Sequence, residues 1–329
     1  MPEASQLEIL DVRSFSGPQL APLLRDEAAR WQRRLRWDYV QAINLLLEYL
    51  DGRVLPGLVA LRKDNKQLLG YCFCVYEGSK AVIGDIYAFG ESEARNNPVC
   101  ETLLEHMLEM LQNTPGIDRI ESQLLMFPAG SFPQQFPARG FRSFPRLFLL
   151  AELNAPELLK PAPPLKLSSA LRLDSWKPEF QKQAAELIHR AYIGHEDSQI
   201  NDQYQSVSGA ERFLHNIIRF PGCGNFDAEN SLVLHDRHTG TPQAILLCSR
   251  IRFDTAHITQ LCVTPSLRGF GLGHLLLTHC AQNLRERGLT HASLTVTESN
   301  VKARKLYEKL GFGMVERFEA QTWNAEQRH

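Results

Sequence analysis

The chain has 329 residues, of which 43% are hydrophobic and 22% charged, with a formal net charge of −1. That length suits about two domains, each with the apolar content for an ordinary core. A near-neutral balance gives neither nucleic acid nor an anionic membrane an electrostatic handle, and no apolar run approaches the ~18 residues of a membrane helix.

The N-terminal residues Met1 to Ser5 show no basic stretch leading into an apolar run, so no signal peptide is expected. In chain order, 7–12 reads as a strand and 18–49 as largely helical. Strands follow at 59–62, 69–76 and 81–87, then a helix at 98–111 and strands at 119–125 and 146–152. The stretch 154–166, NAPELLKPAPPLK, carries prolines at 156, 161, 163 and 164, and clustered proline stiffens an extended connector. Beyond it, 170–173 reads as a strand and 178–192 as a helix. Strands at 231–235 and 243–253 flank a turn at Gly240-Thr241-Pro242. A strand at 257–263, a glycine-rich turn and a helix stopped by Gly288 come next, then a strand at 292–297, a helix at 300–310 and a strand pair from about Met314. The expected fold is α/β (α+β): a mixed, mostly antiparallel sheet flanked by helices, occurring twice. The expected domains are 1–153 and 168–329, with 154–167 as linker.

The seven cysteines, at 72, 74, 100, 223, 248, 262 and 280, include no CxxC pair. They are expected to be reduced, mostly buried small hydrophobes of a cytoplasmic protein, with no zinc site.

Chemistry concentrates in Leu261 to His274, LCVTPSLRGFGLGH. A buried strand feeds a glycine-rich turn that opens an amphipathic helix. Glycine lets a backbone approach a ligand closely, and the first turn of a helix offers unpaired N–H groups at its positive end. Such a turn either cradles phosphate or merely connects strand to helix. A Walker loop would end in Gly-Lys-Ser/Thr, whereas His274 and Leu275 follow Gly273. The glycines at 269, 271 and 273 do not give the GxGxxG spacing of a dinucleotide fold.

Downstream, Asn300 suits an N-cap, and Ala303, Leu306, Tyr307 and Leu310 share one helical face. Gly311 suits the left-handed residue that ends the helix, with Phe312 as its clasp. Tyr307 is the exception on that aliphatic face, because its hydroxyl needs a partner or a use.

Together these segments resemble the GNAT superfamily of acyl-CoA N-acyltransferases. The family's R/Q-x-x-G-x-G/A turn matches Arg268, Gly271 and Gly273, after Val263 and Pro265. Its N-x-x-A-x-x-x-Y-x-K-x-G-F helix matches Asn300, Ala303, Tyr307, Lys309, Gly311 and Phe312. The resemblance implies that backbone groups of Arg268, Gly269, Phe270, Gly271, Leu272 and Gly273 hold the coenzyme A pyrophosphate. It implies that Leu261, Cys262 and Val263 pair with the pantetheine arm, that Asn300 lies near that arm, and that Tyr307 protonates the departing thiolate. Where some relatives carry a catalytic Glu, six residues before Val263, this chain has His257. Glu298 is a second candidate base.

The first half shows the outline without the chemistry. Phe136 to Phe141 resembles the 307–312 helix end with Phe in place of Tyr, and Ala129 stands where Asn300 would. Its turn, Arg95 to Cys100, has Pro98 and Cys100 where glycines belong, and proline supplies no N–H. The implied function is transfer of an acetyl group from acetyl-CoA to an amine, without a metal and without a nucleic-acid or membrane partner. A non-catalytic acyl-CoA-binding or regulatory module is the alternative, and a peptidyl or aminoacyl transferase of duplicated GNAT-like fold is disfavoured by the intact coenzyme A turn. The acceptor has no motif, though 192–204, YIGHEDSQINDQY, is a polar candidate rim.

Overall fold

The computed structural model describes residues 6–90, 97–160 and 170–325. The chain divides into two compact units, one formed by 1–146 with 316–329 and the other by 147–315. In order, the elements are β1 (Leu7–Asp11), α1 (Gly17–Leu35), α2 (Val40–Asp51), β2 (Gly57–Arg62), β3 (Leu68–Glu77), β4 (Lys80–Ala88), α3 (Pro98–Asn113), β5 (Arg119–Gln123), α4 (Gln135–Ala138) and β6 (Arg142–Glu152). There follow α5 (Pro156–Leu159), β7 (Leu171–Ser175), α6 (Gln181–Tyr192), α7 (Asp197–Ile200), α8 (Val207–Arg219), β8 (Asn225–Phe226), β9 (Leu232–Asp236), β10 (Pro242–Arg252), β11 (Thr255–Val263), α9 (Leu272–Glu286), β12 (His291–Thr297), α10 (Val301–Lys309) and β13 (Gly313–Asn324).

In the first unit the strands run β1-β2-β3-β4-β5-β13. β4 and β5 are parallel, whereas β1–β2, β2–β3, β3–β4 and β5–β13 are antiparallel. α1 starts with a capping box between Ser16 and Gln19, which satisfies two open donors at once. It buries Leu20, Leu23 and Leu24 against Ile43, Leu46 and Leu50 of α2 and against Tyr71 and Phe73 of β3. Arg36 takes a left-handed φ of 54° and ends α1, so the helical stretch 18–49 resolves into two helices.

In the second unit the order is β6-β12-β11-β10-β9-β7, with β8 on β10, and β11 and β12 are the parallel pair. One face of this sheet packs on α9 through Leu272, Leu276, Leu277, Cys280 and Leu284. The other packs on α6 and α8 through Ala184, Ile188, Ala210, Leu214 and Ile217. Each fully buried leucine on these faces stabilises by about 1.5–3 kcal/mol relative to exposure.

The units divide at 146/147 and at 315/316, and not at the proline-rich stretch. The last strand of the chain completes the first unit's sheet, Ala320–Asn324 pairing with Arg119–Gln123. Conversely, β6 gives Leu147–Glu152 to the second unit. Alternating side chains mark a strand and its buried face but do not name its hydrogen-bonding neighbour, so contiguous domains were the wrong expectation. Of the expected linker, 154–160 belongs to the second unit, and 161–167 lies outside the described residues.

Among the described residues no helix is long and apolar enough to cross a membrane, and no group of three His, Cys, Asp or Glu side chains could hold a metal ion. The seven cysteines are free, and all but Cys223 are buried.

Candidate acyl-CoA site

The site grows from a break in the second unit's sheet. β11 and β12 pair in parallel from Thr255↔His291 to Ile258↔Leu294, and there the register ends. On the other edge of β11, Leu247 pairs with Gln260 and Cys248 with Ile258, which leaves Thr259 as a bulged extra residue. A bulge bends its strand and sharpens the twist, so β11 turns away from β12 after Ile258. The bulge also resets the faces. Leu261 and Val263 pack toward α9, whereas Cys262 packs toward α6 and α8.

The glycine-rich turn sits at the end of this diverging strand. Gly269 and Gly271 have φ of 86° and 84°, a region that side-chain-bearing residues rarely occupy. Gly271 is the N-cap of α9 and has no side chain to offer, and the first helical bond runs from the Leu275 N–H to the Gly271 C=O. The N–H groups of Leu272, Gly273 and His274 precede that bond. They form an uncapped positive helix end suited to an anion. Arg268 is spent on fastening the turn, donating to the Ala191 carbonyl and, at 3.4 Å, to that of Val263. Phe270 is exposed, while Leu272 is buried. Gly273 has a packing reason as well, because a Cβ there would lie 3.1 Å from Leu306 Cδ2. Burial, and then the charge of Lys309, hold His274 below its usual pKa. In the sequence His274 serves only to set aside a Walker loop.

α10 is built as its local grammar predicts. Asn300 Oδ1 caps the Ala303 N–H at 3.2 Å, and Gly311 takes a φ of 82°. Asn300 is therefore a structural cap, and its Nδ2 lies 3.3 Å from His195 Nε2. Tyr307 is 8% exposed and lies edge-on to Phe312 at 6.0 Å. Among the described residues its hydroxyl makes no hydrogen bond. Burial, and next the charge of Asp197, push its pKa far up, so it keeps its proton at neutral pH.

His257 is more enclosed. It is 5% exposed, its Nδ1 lies 2.9 Å from Ser293 Oγ, and its ring stacks on Phe148 at 5.9 Å. Glu298 is half-buried beyond the end of β12, and its carbonyl accepts from Arg304 at 3.0 Å. The loop after α6 brings His195 to Asn300 and Asp197 to Thr297. Sequence reasoning marked that loop as polar but did not single out these two residues, nor Gln260, nor the helix α8 beside it. The signal for α8 was present as Ser206 before Ala210, Leu214 and Ile217.

Residues 197–312, the stretch that contains the bulged strand, the open turn and α10, match the model of the Acetyltransferase (GNAT) family. The chain carries a GNAT-family acetyltransferase domain. Solved structures extend the likeness in fold to nearly the whole chain. A GCN5-related N-acetyltransferase from Sphaerobacter thermophilus aligns with a TM-score of 0.64 at 15% identity, covering 98% of this chain and 97% of that one. A tandem GNAT protein from the clavulanic acid biosynthesis pathway aligns at 0.58 and 14% identity, covering 97% and 99%. The glucosamine N-acetyltransferase region of a fungal multi-domain GH3 β-N-acetylglucosaminidase aligns at 0.62 and 16%, covering 98% of this chain and 38% of that one. No curated protein matches. The GNAT family and fold support acyl transfer from an acyl-CoA.

Proposed function

We propose that the second unit transfers an acetyl group from acetyl-CoA to an amine by direct attack, with Tyr307 as general acid. The observation that carries this reading is the coincidence, in one unit, of an uncapped α9 terminus, a strand edge freed by the bulge at Thr259, and an unpartnered tyrosine hydroxyl. The amides of Leu272, Gly273 and His274 would receive the pyrophosphate. The edge of Leu261, Cys262 and Val263 would hold the pantetheine arm. The amine nitrogen attacks the thioester carbonyl, the C–S bond breaks, and Tyr307 gives its proton to the sulfur.

His257 is the proposed proton acceptor, acting through water because Ser293 and Phe148 enclose its ring. The uncapped helix end supports cofactor binding, and the buried, protonated Tyr307 supports its use as an acid.

The test is Tyr307→Phe, which removes one oxygen and keeps the packing. With a panel of amines and thiol release as readout, kcat should fall by about 10²–10⁴-fold while acetyl-CoA still binds. A fully active Phe variant would refute the acid. A wild type that binds acetyl-CoA tightly yet acetylates no amine would favour the non-catalytic binding module.

A further inference from the structure

The loop after α6 folds onto the far end of β12. Asp197 Oδ1 accepts from Thr297 Oγ1, and Glu196 accepts from Ser299 Oγ. Behind it, Tyr192 stacks on Tyr204 at 4.3 Å and donates to Gln260 Oε1 at 2.9 Å. Gln260 directly follows the bulge, and Thr297 lies three residues past the last parallel pair, so these groups border the break between β11 and β12.

Within this border Asp197 is the carboxylate with an unmet need. Its side chain is only 16% exposed, and it has no Lys or Arg partner among the described residues. Its nearest basic atom is His195 Nδ1 at 3.7 Å, beyond hydrogen-bond reach. That nitrogen also faces the Asp197 N–H at 3.1 Å. A carboxylate largely withdrawn from water, with one hydroxyl donor, is stabilised by a cation.

One further polar atom in the same neighbourhood is buried and without a partner, Nε2 of Gln260, a residue only 4% exposed. If the Gln260 amide were turned over, Oε1 would be the stranded atom instead, so one amide atom lacks a partner either way. The charge of Asp197 is felt by both Tyr192 and Tyr307 and helps hold their protons on, which sets it beside the proposed acid. A buried polar atom without a partner is uncommon in native proteins, and this one belongs to the side chain that accepts from Tyr192, whose hydroxyl feels the Asp197 charge.

We propose that Asp197 is the cation anchor of the acceptor site, the side chain that takes the amine as its ammonium ion. The assignment rests on the acyl-transfer reading. An ammonium has three donors to give, and Asp197 Oδ2 is the charged acceptor that receives one of them. Asp197 thereby raises the local concentration of the form in which an alkylamine exists at neutral pH. The ammonium loses one proton before its nitrogen attacks, so the anchor acts mainly on KM. The balanced reaction consumes an ammonium and acetyl-CoA and yields an N-alkylacetamide, free coenzyme A thiol and a proton.

The experiment pairs binding with turnover, using n-butylamine and aniline as probes. Saturation-transfer NMR should detect n-butylammonium, but not n-butanol, on the wild-type protein loaded with coenzyme A. Asp197→Asn should weaken n-butylammonium by at least about tenfold, and Asp197→Glu should recover part of that loss. In thiol-release assays the ratio of kcat/KM for n-butylamine to that for aniline should fall at least about tenfold in the Asn variant, carried by KM. Coenzyme A affinity confirms that each variant is folded. The anchor is overturned if n-butylammonium fails to bind the wild type, or binds the Asn variant as tightly. If n-butylammonium binds through Asp197 but no amine ever releases thiol from acetyl-CoA, the anchor stands and the acyl-transfer reading falls.

Discussion

Helices α3 and α9 occupy the same place in their units, each between the two strands that pair in parallel, yet their first turns are finished in opposite ways. α9 begins at Gly271, which has no side chain, and leaves three N–H groups ahead of its first bond. α3 begins at Asn97, whose Oδ1 accepts from the N–H of Val99 at 3.0 Å and of Cys100 at 3.3 Å. Pro98 has no N–H, and Glu101 already bonds the Asn97 carbonyl. Each donor of that first turn is therefore absent or spent, and Asn97 itself is 3% exposed. The preceding residues Arg95 and Asn96 lie outside the described residues.

The divergence is local. β4 carries a bulge at Gly84 after its last parallel pair, Ile83↔Ser122, just as β11 carries one at Thr259. The first unit thus keeps the strand geometry and closes the anion site with one capping side chain. It also offers no hydroxyl at the helix-end position that sequence resemblance pairs with Tyr307, where Phe136 is buried. A helix end is an anion site or a sealed terminus according to its cap, and the surrounding fold can be the same in both cases.

The largest effect is expected at Tyr307, the proposed acid. If only the second unit reacts, Phe136→Tyr in a Tyr307→Phe background restores none of the 10²–10⁴-fold loss in kcat, about 3–5 kcal/mol in barrier. Recovery of thiol release in the double variant would show that the first unit can do chemistry.

The next effect is at the open cap. Gly271→Asp sets a carboxylate against the α9 donors at a position where Asp tolerates positive φ. Acetyl-CoA affinity should drop at least about tenfold, or about 1.4 kcal/mol, by calorimetry. This substitution is cleaner than one at Gly273, where contact with Leu306 would mix packing with charge.

The closed cap gives the smaller, reciprocal result. Asn97→Ala should destabilise the protein by about 1 kcal/mol in denaturant melts and leave acetyl-CoA affinity unchanged. A change in affinity would mean that the first unit's helix end takes part in binding.

A last difference lies behind the bulges. Where Gln260 follows Thr259, Asp85 follows Gly84. Asp85 hydrogen-bonds Glu27 in the core, which also receives the Tyr71 hydroxyl at 2.6 Å. Burial raises both carboxyls, Asp85 to about 6. A folded-state pKa above the unfolded value gives stability that is complete at low pH and lost as pH rises through the folded value. The melting temperature should therefore fall between pH 5 and pH 7, and Glu27→Gln should flatten that slope. An unchanged slope would place the proton elsewhere.

Much of this was legible in the sequence because its signals are local. The turn at Gly269 and Gly271, the Asn300 cap and the Gly311 stop each depend on a few neighbouring residues, and each took the expected conformation. The exchange of β6 and β13 was not legible, since a strand's partner is decided at long range by edge pairing. Nor were Asp197, His195 and Gln260. Their meaning comes from Thr297, Asn300 and Tyr192, 100, 105 and 68 residues away in sequence. His257 stood at a position that the family resemblance singled out, but only the fold shows Ser293 and Phe148 closing around it.

One unit of the two should bind the cofactor, and a calorimetric titration of the intact chain with acetyl-CoA decides it. One site per chain, lost in Gly271→Asp and kept in Asn97→Ala, is the expected result. Two equivalent sites, or a site that survives Gly271→Asp at full affinity, would contradict it and show that a proline-started, asparagine-capped helix can still cradle pyrophosphate.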